Sequence, residues 1–231
     1  MRLDLHNHTH YSSDGGMSPA ALLLAAKSRG LDCIAVTDHN TVRGALEALS
    51  LSEADPSLPR VIPGVEVFTA DGEVIGLYLR EDIPRGTPLP EAVRRIRELG
   101  GLVYLPHPYD VFRRGAVHSG VRAQAAESSD VVEVANGRAL GPRAGVKSAR
   151  LAAAQGKARG AGSDAHHGRE VGRCYVSVND LPTRDSLVRL LAGGTVQSSL
   201  RFWDYLFNWG GQASAPVIRT WRKFKGVVPK E

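Results

Sequence analysis

The chain is poor in the features that secreted and membrane proteins rely on. Only two cysteines, Cys33 and Cys174, occur in 231 residues. They lie far apart inside apolar runs, which suits buried core residues in a reducing compartment rather than a disulfide framework. No uninterrupted apolar stretch approaches the roughly 20 residues of a membrane span. Met1 runs directly into the first apolar run, with no charged leader, apolar core segment or cleavage signal. The expectation is a cytoplasmic protein without a transmembrane segment. Several catalytic signatures are also missing. Gly162-Ser163-Asp164 lacks the nucleophile-elbow pattern, and neither a phosphate-binding P-loop nor a dinucleotide fingerprint occurs.

Net charge is small in the body of the chain. The formal net charge of +5 is concentrated in residues 201–231, which hold six Lys/Arg against Asp204 and Glu231 and leave 23 basic and 22 acidic residues before them. The body is therefore nearly neutral, and the sequence pI of about 9.4 says little about nucleic-acid binding by it; the tail is the part suited to acidic partners. A hydrophobic content of 42% over this length supports one sizeable core, so a single globular domain with a tail is expected. The segment from 199 onward carries seven of the 14 aromatics: Phe202, Trp203, Tyr205, Phe207, Trp209, Trp221 and Phe224. It reads as aromatics packing on the body with cations left in water; stacking on nucleic acid and membrane-surface binding are its alternatives.

Against these absences stands one repeated event. Leu3-Asp4-Leu5-His6-Asn7-His8 is a short apolar run ending in two imidazoles, and alternate strand residues share a face. Four later apolar runs also end in metal-capable groups: Ile34 to His39, Val61 to Glu66, Leu102 to His107 and Gly162 to His166. Continuous apolar runs are characteristic of strands buried on both faces, and in alternating α/β barrels the chemistry collects where strands end. Five such ends imply one shared site.

The intervening segments fit the same alternation. Ser18-Pro19 starts a helix that ends at Gly30, Thr41 to Leu49 and Leu89 to Leu99 are helical, and a helix covers roughly Pro142 to Ala154. Asp71-Gly72 marks a hairpin between Val65–Phe68 and Val74–Leu79, a local departure from simple alternation. Val131 to Asn136, Ala161 to His166 and Cys174 to Val178 are further strands, and Leu187 to Leu191 belong to a helix closing at Gly193-Gly194.

The metal-capable set is His6, His8, Asp14, His39, Glu66, His107, Asp164 and His166. A tetrahedral ion takes four ligands, so two or three divalent ions fit better than one. Mixed imidazole and carboxylate donors without thiolate suit zinc, manganese or iron. Paired ions roughly 3.5–4 Å apart generate hydroxide and neutralise a developing oxyanion, the device of many phosphatases and nucleases. Phosphoester hydrolysis by a metal-bound hydroxide is therefore the leading reaction. Asp38 lies on the opposite strand face from His39 and reads as a residue supporting the ligands. His10 reads as a substrate-facing histidine or a solvent-exposed loop residue, and His118 and His167 as exposed or structural. Arg113 and Arg138 follow strand ends and are the candidates for binding substrate phosphate.

His6-x-His8 with Asp14-Gly15, Thr37-Asp38-His39, Pro63-Gly64-x-Glu66, His107-Pro108 and Ser163-Asp164-Ala165-His166 resemble the ordered motifs of the polymerase and histidinol phosphatase (PHP) domain family. The resemblance covers residues 1 to about 195 and implies an α/β, distorted (β/α)7 TIM-like barrel with metals at the C-terminal ends of the strands. It implies a catalytic barrel over 1–195, and the composition of 196–231 makes that stretch an aromatic and basic segment expected to pack on it. It places His6, His8, Glu66 and Asp164 around a first ion, Glu66 and His107 around a second, and Asp14, His39 and His166 around a third. Glu66, Asp164 and His166 carry the catalytic roles. Many relatives supply a further His or Cys at the second ion, where this chain offers Glu133 or Asn136. The implied partner is a small phosphorylated metabolite or nucleotide, with nucleic acid left open. The alternatives are an exonuclease on oligonucleotides, guided by the basic tail, and a non-catalytic module whose metals only stabilise the fold.

Overall fold

The computed structural model describes residues 1–110, 115–139 and 141–200. Its frame is a mixed nine-stranded sheet that curls toward closure. The strands are β1 (Arg2–Asp4), β2 (Cys33–Val36), β3 (Arg60–Thr69), β4 (Gly72–Leu77), β5 (Leu102–Leu105), β6 (Val131–Asn136), β7 (Ala158–Gly162), β8 (Cys174–Ser177) and β9 (Thr195–Ser198). Their order is β7-β6-β5-β4-β3-β2-β1-β8-β9. Beyond Asp4 the chain turns toward β7. Leu5 N donates to Ala161 O (3.0 Å), Asp164 N to His6 O (2.7 Å) and His8 N to Ala165 O (2.9 Å). These bonds close the barrel and bring the first and last ligand-bearing turns together.

The helices follow from local signals. In α1 (Pro19–Ser28) the Ser18 hydroxyl accepts from Ala21 N at 3.2 Å and Pro19 occupies the first turn. The others are α2 (Arg43–Ala54), α3 (Leu89–Glu98), α4 (Arg122–Ser128), α5 (Pro142–Ala154) and α6 (Leu187–Ala192). None is long and apolar enough to cross a membrane among the described residues.

Strand alternation sorts the core into layers. Leu3, Leu5, Cys33, Ile62, Ile75, Leu77, Tyr104, Ala161 and Cys174 form an inner cluster, whereas Val65, Val67, Val74, Val103 and Leu105 pack with α3 and its neighbours. Both cysteines are free and buried, as core residues should be. Two glycines of β7 make the inner packing possible. A Cβ on Gly160 would sit 2.4 Å from Tyr104 Cε2, and one on Gly162 would sit 2.2 Å from His6 Cβ.

The hairpin makes β4 antiparallel to both β3 and β5, with Thr69 opposite Gly72. This is the distortion of the barrel. Several strand bounds differ from the sequence expectation. The expected 161–166 strand begins at Ala158 and stops at Gly162, because Asp164 has φ +51 and cannot continue a strand. Likewise β4 stops at Leu77, where Tyr78 has φ +62. Helix α4 and strand β9 were not anticipated. The Arg113 expectation and the tail from 201 onward fall outside the described residues.

Candidate metal centre

The ends of β1, β2, β3, β5 and β7 deliver eight imidazoles and carboxylates to one mouth. His6 Nε2 and His8 Nε2 lie 3.1 Å apart. Both lie 3.3 Å from Glu66 Oε2, and they lie 3.8 and 3.4 Å from Asp164 Oδ1. The other Glu66 oxygen, Oε1, faces His107 Nε2 at 3.2 Å. His39 Nδ1 lies 3.2 Å from Glu66 Oε2, and Asp14 reaches His39 Nε2 at 3.7 Å and His166 Nε2 at 3.2 Å. The His8 ring stands between those of His39 and His166, at centroid distances of 4.5 and 4.3 Å. Except for Asp14, whose side chain is 54% exposed, and His39, at 15%, the set is buried.

The hydrogen-bond partners decide what these nitrogens present to one another. Ser12 spends its single hydroxyl proton on Asp38 Oδ1 at 2.7 Å, so at 3.1 Å it accepts from His8 Nδ1. His6 Nδ1 donates to the Glu133 carboxylate at 3.1 Å. With a metal bound, both rings would turn unprotonated Nε2 lone pairs toward two carboxylates; without one, the same carboxylates draw protons onto the rings. Ligands bonded at about 2.0–2.1 Å around a tetrahedral ion lie about 3.3–3.4 Å apart. The nitrogen and oxygen separations listed above cluster near that edge length, so the donor set fits a divalent cation in both charge and spacing. With protons alone, burial opposes the charge on His8, but the hydrogen bonds that its ring donates to the Asp164 and Glu66 carboxylates win and push it up to about 9. Burial, together with the charge on His8, pushes His166 down to about 4.

Four overlapping groups can each hold an ion: His6–His8–Asp164, His6–Glu66–His107, His8–His39–His166 and His39–Glu66–Glu73. The structure thus brings together every ligand candidate named from the sequence. Backbone strain supports the turns, since His107 (φ +28) and Asp164 (φ +51) both adopt positive φ. Asp38 supports the ligands from behind. It accepts from Thr9 N (2.7 Å), Thr9 Oγ1 (2.6 Å) and Ser12 Oγ (2.7 Å). Arg138 sits at the mouth with Nη1 2.9 Å from His166 Nδ1. His10, His118 and His167 are exposed.

Sequence reasoning missed Glu73. This buried residue lies 3.5 Å from His107 Nε2 and 3.9 Å from His39 Nδ1. The signal was available, because Glu73 is a charge at alternate spacing with the inward-facing Ile75 and Leu77. By contrast, Glu133 and Asn136 do not offer free donors. The Glu133 oxygens accept from His6, Tyr104, His107 N and Asn136 Nδ2, and Asn136 Oδ1 accepts from Arg138 N.

A distorted α/β barrel with clustered imidazoles and carboxylates at its strand ends defines the class of protein. Residues 4–125 match the PHP domain family and residues 142–196 the PHP-associated family. The chain belongs to the PHP domain family. It is 41% identical to the Methanocaldococcus jannaschii protein MJ1587 over 119 residues, covering 47% of this chain and 68% of that protein. It is 35% identical to MJ0417 of the same organism over 184 residues, covering 78% and 72%. It is 33% identical to a 5'-3' exoribonuclease of Haemophilus influenzae over 102 residues, covering 42% and 36%. The fold is shared with a two-domain Bacteroides vulgatus protein containing a predicted PHP-like metal-dependent phosphoesterase. The TM-score there is 0.67 at 19% identity, over 86% of this chain and 64% of that one. It is shared too with PsfC from Pseudomonas syringae, at TM-score 0.63 and 19% identity over 90% and 98%.

Proposed function

We propose that the protein is a metal-dependent phosphoesterase that hydrolyses a phosphomonoester or a nucleotide-like phosphodiester. The observation that carries this reading is the convergence of lone pairs and carboxylates from five strand ends, at separations suited to ligands of small divalent ions. When bound, two or three zinc, manganese or iron ions supply Lewis acidity toward phosphoryl oxygens and an activated water.

The chain's own residues divide the remaining work. Glu66 faces His6, His8 and His39 with one oxygen and His107 with the other, so one carboxylate spans neighbouring groups. Asp164 holds His6 and His8 from the opposite wall. His166, kept neutral at ordinary pH, presents an acceptor nitrogen beside the half-exposed Asp14 carboxylate. Arg138 brings planar guanidinium donors to the same mouth, where they bind phosphate oxygens of the substrate. Glu73 adds a carboxylate beside His107.

The test is hydrolysis of an aryl phosphate and of a dinucleotide, before and after chelation and restoration of manganese, zinc or iron. Turnover that disappears with chelator and returns with metal supports the reading; none after reconstitution refutes it. A second reading, removal of terminal nucleotides from RNA, is favoured by the likeness to the Haemophilus influenzae exoribonuclease. Faster turnover of a short RNA than of either small ester would select it.

A further inference from the structure

We infer that Glu133 is a positioning residue that sets the ligand geometry of two metal groups at once and makes their affinities depend on each other. This rests on the metal-binding reading above. The Glu133 side chain is fully enclosed, and each of its oxygens accepts two hydrogen bonds. Oε1 accepts from His6 Nδ1 (3.1 Å) and Tyr104 OH (3.0 Å). Oε2 accepts from His107 N (2.8 Å) and Asn136 Nδ2 (2.9 Å). These four bonds fill the acceptor capacity of a carboxylate, so Glu133 has no lone pair left for an ion.

Each bond acts on a ligand. The bond from His6 Nδ1 fixes the tautomer that points the Nε2 lone pair at His8, Glu66 and Asp164. The bond from His107 N holds the backbone of a residue whose φ is +28, and so aims its imidazole at Glu66. Asn136 Nδ2 is shared between Glu133 Oε2 and Asp164 Oδ2, at 2.9 and 3.1 Å. One carboxylate therefore reaches the His6–His8–Asp164 group through His6 and Asn136, and the His6–Glu66–His107 group through His6 and His107. Gly162 leaves the space for this, since a Cβ there would lie 2.9 Å from Glu133 Oε1.

Glu133→Gln keeps the shape but replaces one acceptor oxygen with a donor. If the amide nitrogen faces His6, that ring must present Nδ1 as acceptor and carry its proton on Nε2, where a metal would bind. If it faces the other way, it opposes the His107 and Asn136 donors. The experiment measures zinc affinity and stoichiometry by calorimetry for the wild type and Glu133→Gln, together with nitrogen NMR of the His6 imidazole in the zinc-loaded protein, where the ring is neutral. The expected result is zinc binding about 10–100-fold weaker at both groups, with the His6 proton moved from Nδ1 to Nε2 and circular dichroism unchanged. Wild-type affinity with an unmoved proton overturns the inference while leaving the metal-binding reading standing. A wild type that binds no zinc overturns both. Should Glu133→Gln fail to fold, Asn136→Ala takes its place. It breaks the link from Glu133 to Asp164, together with the bond from Arg138 N, while leaving the bonds from His6 and His107 N to Glu133 in place, and zinc affinity equal to the wild type then overturns the inference.

Discussion

Asp38 is the residue on which the supporting network behind the metal centre is most exposed to test. Its carboxylate is fully buried and accepts from Thr9 N, Thr9 Oγ1 and Ser12 Oγ at 2.7, 2.6 and 2.7 Å. Asp38→Ala leaves those donors facing an apolar void. A buried donor without a partner costs about 1–3 kcal/mol, and more when the lost partner was charged. With Ser12 reoriented to relieve part of the loss, the total is about 3–6 kcal/mol. That is a large share of the roughly 5–15 kcal/mol by which a domain is stable. At a urea m-value of about 2–3 kcal/mol/M the midpoint falls by roughly 1–3 M. Asp38→Asn retains one acceptor oxygen and should lose about half as much. Urea unfolding of the metal-free proteins, followed by circular dichroism, measures both. A loss below about 1 kcal/mol for Asp38→Ala would refute the reasoning, because it would mean that those donors find equivalent partners without the carboxylate.

Further consequences follow from other parts of the structure. Burial pushes the thiols of Cys33 and Cys174 up to about 12, so iodoacetamide at pH 8 should label neither in the folded protein and both in denaturant, as counted by mass spectrometry. His8, raised to about 9 without metal, is protonated at neutral pH and must be neutral as a ligand. Zinc binding at pH 7 should then release a proton, an effect that fades as pH passes that value, and calorimetry in buffers of different ionisation enthalpy counts it. Glu73→Ala should lower bound metal by one equivalent in elemental analysis while leaving the fold intact, and unchanged stoichiometry would exclude Glu73 as a ligand. Gly162→Ala forces a Cβ to within 2.2 Å of His6 Cβ. It should cost about 1–3 kcal/mol, read as a lower urea midpoint.

Apart from Asp14, which lies in the loop after His8, the ligands were legible because they stand at or near the ends of apolar runs, and chain connectivity alone puts the ends of barrel strands on one rim. The hairpin was legible because Asp71-Gly72 is a turn signal, and Gly72 indeed takes φ +125. Glu73 was passed over because it begins an apolar run rather than ending one, although the hairpin brings the start of β4 to the same rim as the end of β3. Glu133 was offered as a further ligand, beside Asn136, only through the family resemblance. Only three-dimensional contacts show donors from three strands and their following turns already filling its carboxylate. The short elements were invisible for a different reason. Helix α4 has seven residues, too few to display a period, and β9 is a four-residue edge strand with little buried apolar surface.

The most direct test of the central claim is metal content by elemental analysis of purified wild type and Glu66→Ala, paired with hydrolysis of an aryl phosphate. The account predicts two or three ions per wild-type chain, fewer in the variant, and turnover that depends on Glu66. One ion or none in wild type, with no turnover after reconstitution with manganese, zinc or iron, would contradict it.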